Sequence, residues 1–368
     1  MSTALEGRDQ PAGYRMIESL EVQDFRAFEH VELRPLRRLN LIVGRNASGK
    51  TALLEAIRLA TGAAPQFVPW LNQFRSLPML PATGPAAFNA IWDHLFRGGN
   101  TRKPIVLRYT DSKGSYYSVR IYFDFRSVTD ITQQPEGASS GASVLTPTYP
   151  IVFEREGSHI PKHHVSARVI GGNIQQETAS EFGPTTAFFP ATAAYNPQDN
   201  AVWFSQTSLN KGDTEILEIL KREFPYLTGL AILSPAGVPA LYASTTPDGQ
   251  KLPLTLISAG IHKFLSLVLA TVQANDGVLL VDEIDNGLYF DRLPALWTVM
   301  HRLCTQHRAQ LFASTHSLEC LQAALPIMKE DPEAFALIKT DQRAGICATK
   351  IVSGADAAAA IEQGIELR

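Results

Sequence analysis

The stretch LNLIVGRNASGKTALLEAIRLATG, residues 39–62, decides how the chain is to be read. Its first five residues are almost wholly apolar, the pattern of a strand buried on both faces of an α/β sheet. GRNASGKT follows, residues 44–51, and fits GxxxxGK[ST]; TALLEAIRLATG then sets Leu53, Leu54, Ile57, Leu59 and Ala60 at helical spacing, with Gly62 as the stop. Strand, glycine-rich loop and helix in that order put a helix N-terminus, with free N–H groups and a positive dipole end, against the loop. Glycines let the backbone wrap closely round a β- and γ-phosphate. Lys50 is placed to neutralise their oxygens and the Thr51 hydroxyl to ligate Mg²⁺. With glycine at roughly 7% of residues, a chance match in a chain this long has a probability on the order of 1%.

Upstream, MIESLEVQDF (residues 16–25) alternates as a half-buried strand does, and VELRP (residues 31–35) can pair with it. Residues 1–15 are polar and predict a disordered tail without the apolar stretch of a secretory signal. Downstream, residues 63–251 are irregular, with prolines at 65, 69, 78, 81 and 85 and a Gly/Ser/Thr-rich stretch at 134–148 that predicts a mobile surface loop. Between the loops lie strand-like runs: IVLRYT and YSVRIYFDF on either side of DSKG, then PIVFER, HHVSARVI and TAFFPA. TEILEILKREF, residues 214–224, predicts an amphipathic helix ended by Pro225. Order returns at residue 252, where helix and strand patterns alternate to the end of the chain and argue for a mainly parallel sheet. The expected organisation is a nucleotide-binding α/β domain split into residues 16–62 and 252–368, with a β-rich insert of residues 63–251 that also holds helices.

Composition narrows the function. The 368 residues are 45% hydrophobic and 19% charged, enough to bury a real core and against disorder or fibrous architecture. Lys plus Arg total 33 and Asp plus Glu 36, a net charge of −3, so no global basic field exists for nucleic acid or an anionic membrane. No run approaches the roughly 18 apolar residues of a membrane span. Cys304, Cys320 and Cys347 fit neither a metal knuckle nor a disulfide framework. Together these predict a soluble cytoplasmic protein.

Three further elements carry chemistry. GVLLVDE, residues 277–283, ends an apolar strand in two carboxylates: Asp282 suits the Mg²⁺ shell and Glu283 the polarisation of an attacking water. In ISAGIHKFLSLVLA, which begins at Ile257, Ser258, Ala259 and Gly260 open an apolar helix, a second helix N-terminus able to take a phosphate. Since one loop already holds one face of a nucleotide, this second site makes most sense against the γ-phosphate of a partner subunit. STHS, residues 314–317, follows an apolar strand and offers His316 as a γ-phosphate sensor.

These four elements, in this order, resemble the ABC-type ATPases of the SMC/RecF branch, and most closely the OLD-like ATPases often grouped with the AAA family (AAA_15/AAA_21 type). The resemblance covers residues 16–62 and 252–325. DFRAF resembles NFRxF, GRNASGKT resembles GxNxSGKT, ISAG a degenerate LSGGQ, LLVDEIDNGLYF resembles LLIDEIENGLHY, and STHS a switch-histidine motif. It implies a split ABC-type fold in which Gly44, Arg45, Asn46, Ala47, Ser48, Gly49, Lys50 and Thr51 hold ATP, Thr51 and Asp282 hold Mg²⁺, and Glu283 is the catalytic base. By the same resemblance His316 senses the γ-phosphate, Ser258 and Gly260 clamp the other subunit's nucleotide, and Asn286 and Gly287 lie in the D-loop. Tyr289 stands where relatives often carry His; Gln66 and Gln73 are candidates for the Q-loop. Only 368 − 316 = 52 residues follow the switch histidine, too few for the Toprim nuclease of OLD proteins. The resemblance thus implies a homodimeric, ATP-driven switch for a separately encoded effector, a nuclease or toxin, in anti-phage defence. A RecF-like repair ATPase that binds DNA itself is the alternative. A transporter subunit is disfavoured because Ser258 lies 258 − 50 = 208 residues after Lys50. Two clusters have competing explanations: Arg34, Arg37 and Arg38, or Arg97, Arg102 and Lys103, as DNA contacts or solvated charge, and His159, His163 and His164 as a metal site or an ordinary strand.

Overall fold

The computed structural model describes residues 16–75, 85–128, 130–133, 145–170, 173–177, 182–191, 197–245, 249–343 and 345–367. The expected N-terminal tail and most of the expected mobile loop, residues 134–144, lie outside them. The chain begins with β1 (Ile17–Phe25), β2 (Phe28–Leu33), β3 (Leu39–Val43) and α1 (Lys50–Gly62), followed by α2 (Phe67–Phe74) and α3 (Pro85–Trp92). Its middle runs through β4 (Ile105–Asp111), β5 (Tyr116–Phe123), β6 (Asp130–Gln133), β7 (Leu145–Thr148), β8 (Ile151–Gly157), β9 (Ile160–Ile170), β10 (Asn173–Gln176) and β11 (Thr186–Phe189). Helices α4 (Pro197–Leu209) and α5 (Asp213–Glu223) lead to β12 (Gly229–Leu233), β13 (Ala240–Ser244) and β14 (Leu252–Pro253). The last third holds α6 (Leu254–Ile257), α7 (Ala259–Gln273), β15 (Val278–Val281), α8 (Leu293–Gln306), β16 (Gln310–Thr315), α9 (Leu318–Glu330), β17 (Phe335–Arg343), β18 (Ile346–Ser353) and α10 (Gly354–Glu362).

Two sheets carry the architecture. The central one has the order β11-β15-β16-β3-β17-β18, parallel throughout except for the β17–β18 hairpin. The other, β10-β9-β8-β5-β4-β1-β2, is antiparallel. All five residues of β3 are buried. Leu39, Leu41 and Val43 join the core formed with α7, α8 and α9, while Ile42 joins the opposite one with α1. Being covered on both faces is what makes that strand read as an unbroken apolar run. Helix α1 is packed between the sheets: Leu53, Leu54 and Ile57 share a core with Val22, Leu107 and Val119 of the antiparallel sheet and with Phe312 of the central one.

The segment from 63 to 251 is not a body apart. Its strands β4 and β5 extend the sheet begun by β1 and β2, and TAFFPA, placed in the insert by its sequence, supplies β11, which pairs in parallel with β15 at the edge of the central sheet. Sequence pattern misses this because pairing partners 90 residues apart leave no local trace. The prolines also mislead: Pro69 falls in the first turn of α2, where a missing N–H is harmless. Residues 145–148 of the expected loop form β7. Pro326 likewise lies inside α9, which continues to Glu330.

Candidate functional site

The order β15-β16-β3 brings three distant motifs to one edge. Register aligns Val43 with Thr315 and Val281 with Ala313, so the glycine-rich loop, the Asp282–Glu283 pair and Ser314 to His316 all emerge together at the carboxyl ends of neighbouring parallel strands. That edge is where open α/β sheets take ligands.

In the loop, Ala47 and Gly49 hold positive φ of 64° and 100°. Gly49 precedes α1 without a side-chain cap, leaving the helix N-terminus to an anion. A Cβ on Gly44 would lie 2.4 Å from the Thr340 carbonyl oxygen, and the Ser48 hydroxyl bonds that of Thr340 at 2.6 Å. Thr340 of β17 thus braces the loop, a role its sequence context did not flag. The Lys50 Nζ donates to the carbonyls of Gly44 (2.9 Å) and Arg45 (3.1 Å). Burial lowers its pKa, while Asp282, Glu283 and Asp285 oppose that shift.

Thr51 Oγ1 donates to Asp282 Oδ2 at 2.7 Å, bringing together the two residues expected to share Mg²⁺. Asp282 is buried, its N–H held by the Phe189 carbonyl of β11 at 2.7 Å and its other oxygen by the Ser314 hydroxyl. A hydroxyl beside a carboxylate is a hard oxygen set of the kind Mg²⁺ takes alongside phosphate oxygens, so the donors fit that ion. Glu283, at φ +48°, gives its N–H to Ser314 Oγ (2.9 Å), and its carboxylate lies 3.6 Å from His316 Nδ1. Ser314 therefore ties the two acidic residues to the neighbouring strand, and Thr315 does the same for Asp285 at 2.7 Å.

Ser258 caps α7, its hydroxyl accepting from the Ile261 N–H at 3.3 Å. It lines a pocket of about 300 Å³ with Gly260, Gly287, Tyr289 and Arg292, in which no residue of the 44–51 loop takes part. Tyr289 and Phe290 are exposed beside it, their rings 4.6 Å apart. Asn286 donates to the Ala191 carbonyl at 3.4 Å. Gln66 directly precedes α2 and Gln73 is exposed near its end.

Sequence reasoning overlooked a buried ionic cluster on α1. Glu55, 1% exposed, takes two bonds from Arg75 (2.7 and 2.8 Å) and one contact from Arg26 (2.8 Å). Glu55, standing between Lys50 and Arg58 on a helix buried along almost its whole length, gave no motif to recognise. It also overlooked Lys263, which donates from α7 to the carbonyls of Glu283 (2.9 Å) and Asn286.

Most of the basic residues are engaged, while Arg102 gives its backbone N–H to Asn100 Oδ1 at 3.2 Å. Arg34 meets Glu18 (3.4 Å), Arg37 meets Glu333 (3.0 Å), and Arg38 donates to the carbonyls of Cys304 and Ala309; Arg97 meets Glu29 (3.1 Å) and Lys103 meets Asp24 (4.0 Å). His164 lies 3.7 Å from Glu154, which also meets Lys162 at 2.8 Å, and among the described residues no group of three metal-ligating side chains is found. All three cysteines are buried and free. Among the described residues no helix is long and apolar enough to cross a membrane.

A phosphate loop between parallel strands, with a carboxylate pair one strand beyond its neighbour, defines a P-loop nucleotide-binding protein of the ATPase class. The family described as "AAA domain, putative AbiEii toxin, Type IV TA system" (AAA_21) matches residues 39–321, and the chain belongs to it. Over 353 residues it is 20% identical to an ATP/GTP phosphatase of Helicobacter pylori, covering 89% of this chain and 94% of that one. Short matches also occur: 54% identity over 43 residues to the DNA replication and repair protein RecF of Idiomarina loihiensis (12% of each chain), and 46% over 55 residues to the structural maintenance of chromosomes protein 6 of Saccharomyces cerevisiae (15% of this chain, 5% of that). Among solved structures, an SMC head bound to the C-winged helix domain of ScpA is similar with a TM-score of 0.49 at 14% identity, covering 92% of this chain and 97% of that one. The SMC head domain from Thermotoga maritima has a TM-score of 0.43 at 13% identity, covering 91% and 98%.

Proposed function

We propose that the protein is an ATP-hydrolysing switch: two copies sandwich two ATP molecules head to tail, and hydrolysis reopens the pair to control a separately encoded effector, a nuclease or toxin, in anti-phage defence. The observation that carries the dimeric reading is the separation of the two anion-binding helix starts. The N-terminus of α7, with Ser258 and Gly260, opens onto a pocket that the chain's own phosphate loop does not line. A second copy would have to supply the nucleotide there. The effector part of the reading rests on the resemblance of the motifs to small OLD-like ATPases without a nuclease domain.

In this reading Lys50 leaves its two carbonyl acceptors for phosphate oxygens. Thr51 and Asp282 would hold Mg²⁺, which would supply positive charge against that developing on the phosphates. Glu283 takes the proton of the attacking water, and His316, beside its carboxylate, orients toward the γ-phosphate. The Ser314 hydroxyl keeps Asp282 and Glu283 in register.

The RecF match favours a second reading, a repair ATPase that binds DNA directly. Native mass spectrometry of Glu283→Gln protein purified from its own host, with and without MgATP, separates the two. An ATP-dependent dimer carrying a second polypeptide supports the effector switch, and a dimer carrying only nucleic acid supports repair. A monomer at saturating MgATP rules out the sandwich.

A further inference from the structure

Resting on the hydrolysis reading above, we propose that Lys263 is a positioning residue that holds the backbone of Glu283 and ties it to the start of α7. Lys263 stands five residues after Ser258 and is 6% exposed. An ammonium so buried is tolerated where its donors are used. Here they go to the carbonyl oxygens of Glu283, at 2.9 Å, and Asn286, both on the loop that follows β15.

Glu283 is where such an anchor matters. At φ +48° it occupies the left-handed region, uncommon for a residue with a Cβ and held only where surroundings enforce it. Three hydrogen bonds enforce it: the Glu283 N–H to Ser314 Oγ at 2.9 Å, and the Asn286 N–H (3.0 Å) and Lys263 Nζ to the Glu283 carbonyl. Pinning N–H and carbonyl together sets the direction of the Cα–Cβ bond, and so brings the carboxylate to 3.6 Å from His316. Relaxation to an ordinary negative φ would swing that side chain away.

The other end of the tie is α7. Lys263 shares that helix with Ser258 and Gly260, and a Cβ on Gly260 would be only 3.1 Å from the Gly287 carbonyl. The helix start and the loop after β15 are therefore in contact at two places, at Gly260 and at Lys263. A shift of α7 on seating against a partner's nucleotide is passed to the Glu283 backbone. Lys263 thus makes the alignment of Glu283 depend on the position of a helix whose N-terminal pocket the chain's own phosphate loop does not line.

The test compares nucleotide affinity with turnover. Lys263→Met keeps the length of the side chain and removes the donors. It is expected to bind a fluorescent ATP analogue within about three-fold of wild type while kcat falls about 100-fold, since small misplacements of a reacting group have effects of that size. Lys263→Arg, which restores a cation with several donors, is expected to recover turnover to within about ten-fold. In the Glu283→Gln background, Lys263→Met is expected to lower the residual rate by less than about two-fold, because the group being positioned is already gone. If Lys263→Met does not melt cooperatively, Lys263→Gln is carried through the same cycle. Turnover of the neutral variant within three-fold of wild type, or an undiminished effect in the Glu283→Gln background, overturns the proposal. Wild-type protein that binds ATP without hydrolysing it overturns the hydrolysis reading, and this inference with it; wild-type turnover with an indifferent Lys263 variant overturns this inference alone.

Discussion

Ser314→Ala removes one oxygen from the centre of the site. That hydroxyl is fully buried; it donates to Asp282 and accepts the Glu283 N–H at 2.9 Å. The bond to an ionised acceptor contributes about 1.5–3 kcal/mol, and a stranded N–H on the other side costs about 1–3 kcal/mol. A combined loss of about 4 kcal/mol in folding stability is expected, with no change in the denaturant slope because the surface exposed on unfolding is unaltered. Asp282 keeps its 2.7 Å bond from Thr51, so nucleotide binding should persist. Glu283 loses the acceptor that holds its N–H, and turnover should fall about 100-fold, equivalent to about 2.7 kcal/mol in the barrier. Urea unfolding and steady-state ATP hydrolysis measure the two effects separately. A midpoint unchanged within error together with turnover within two-fold of wild type would falsify the view that Ser314 organises the acidic pair.

The remaining expectations concern the loop and one half-buried base. Lys50→Ala should abolish MgATP binding in a calorimetric titration, and tight binding by that variant would remove the phosphate loop from its assigned role. Gly44→Ala should destabilise the protein by about 2 kcal/mol or more, because the new Cβ would sit 2.4 Å from the Thr340 backbone oxygen and β17 would have to yield; an unchanged melting curve would contradict this. Burial, and then the charge of Arg26, push the His94 pKa down from 6.5 to about 4. The unfolded chain then binds a proton that the native state refuses, so the stability due to neutral His94 is lost as pH falls from 6.5 toward about 4 and levels off below. His94→Gln should show a shallower loss of stability across that window, and parallel curves for the two proteins would count against it.

Elements whose signal is local were legible in the residues. β3 and α1 could be read from an apolar run, a glycine-rich loop and a 3.6-residue period, and the chain from residue 252 onward from its alternating helix and strand patterns. The residues 63–251 were harder. α2 begins across Pro69, α4 carries little amphipathic contrast, and β11 finds its partner about 90 residues downstream. The phosphate loop, Asp282, Glu283, Ser258 and His316 could each be singled out as candidates because they stand in recognisable patterns of adjacent residues. Lys263, Thr340 and the Glu55 cluster were not, since a lone lysine, threonine or glutamate looks the same whether solvated or buried.

By itself, then, the sequence determined that a phosphate loop opens a helix after a two-sided buried strand, and that a carboxylate pair and a histidine each end an apolar strand, because strand, turn and helix propensity are set by neighbours in the chain. Only the tertiary structure decided that β16 lies between β3 and β15, which brings Thr51 to Asp282 and Glu283 to His316. Only it turned the start of α7 toward a pocket apart from the phosphate loop and buried Lys263 against the Glu283 carbonyl. Strand order and side-chain burial are settled by how whole surfaces exclude water and satisfy their polar groups, and that balance is struck among residues hundreds of positions apart.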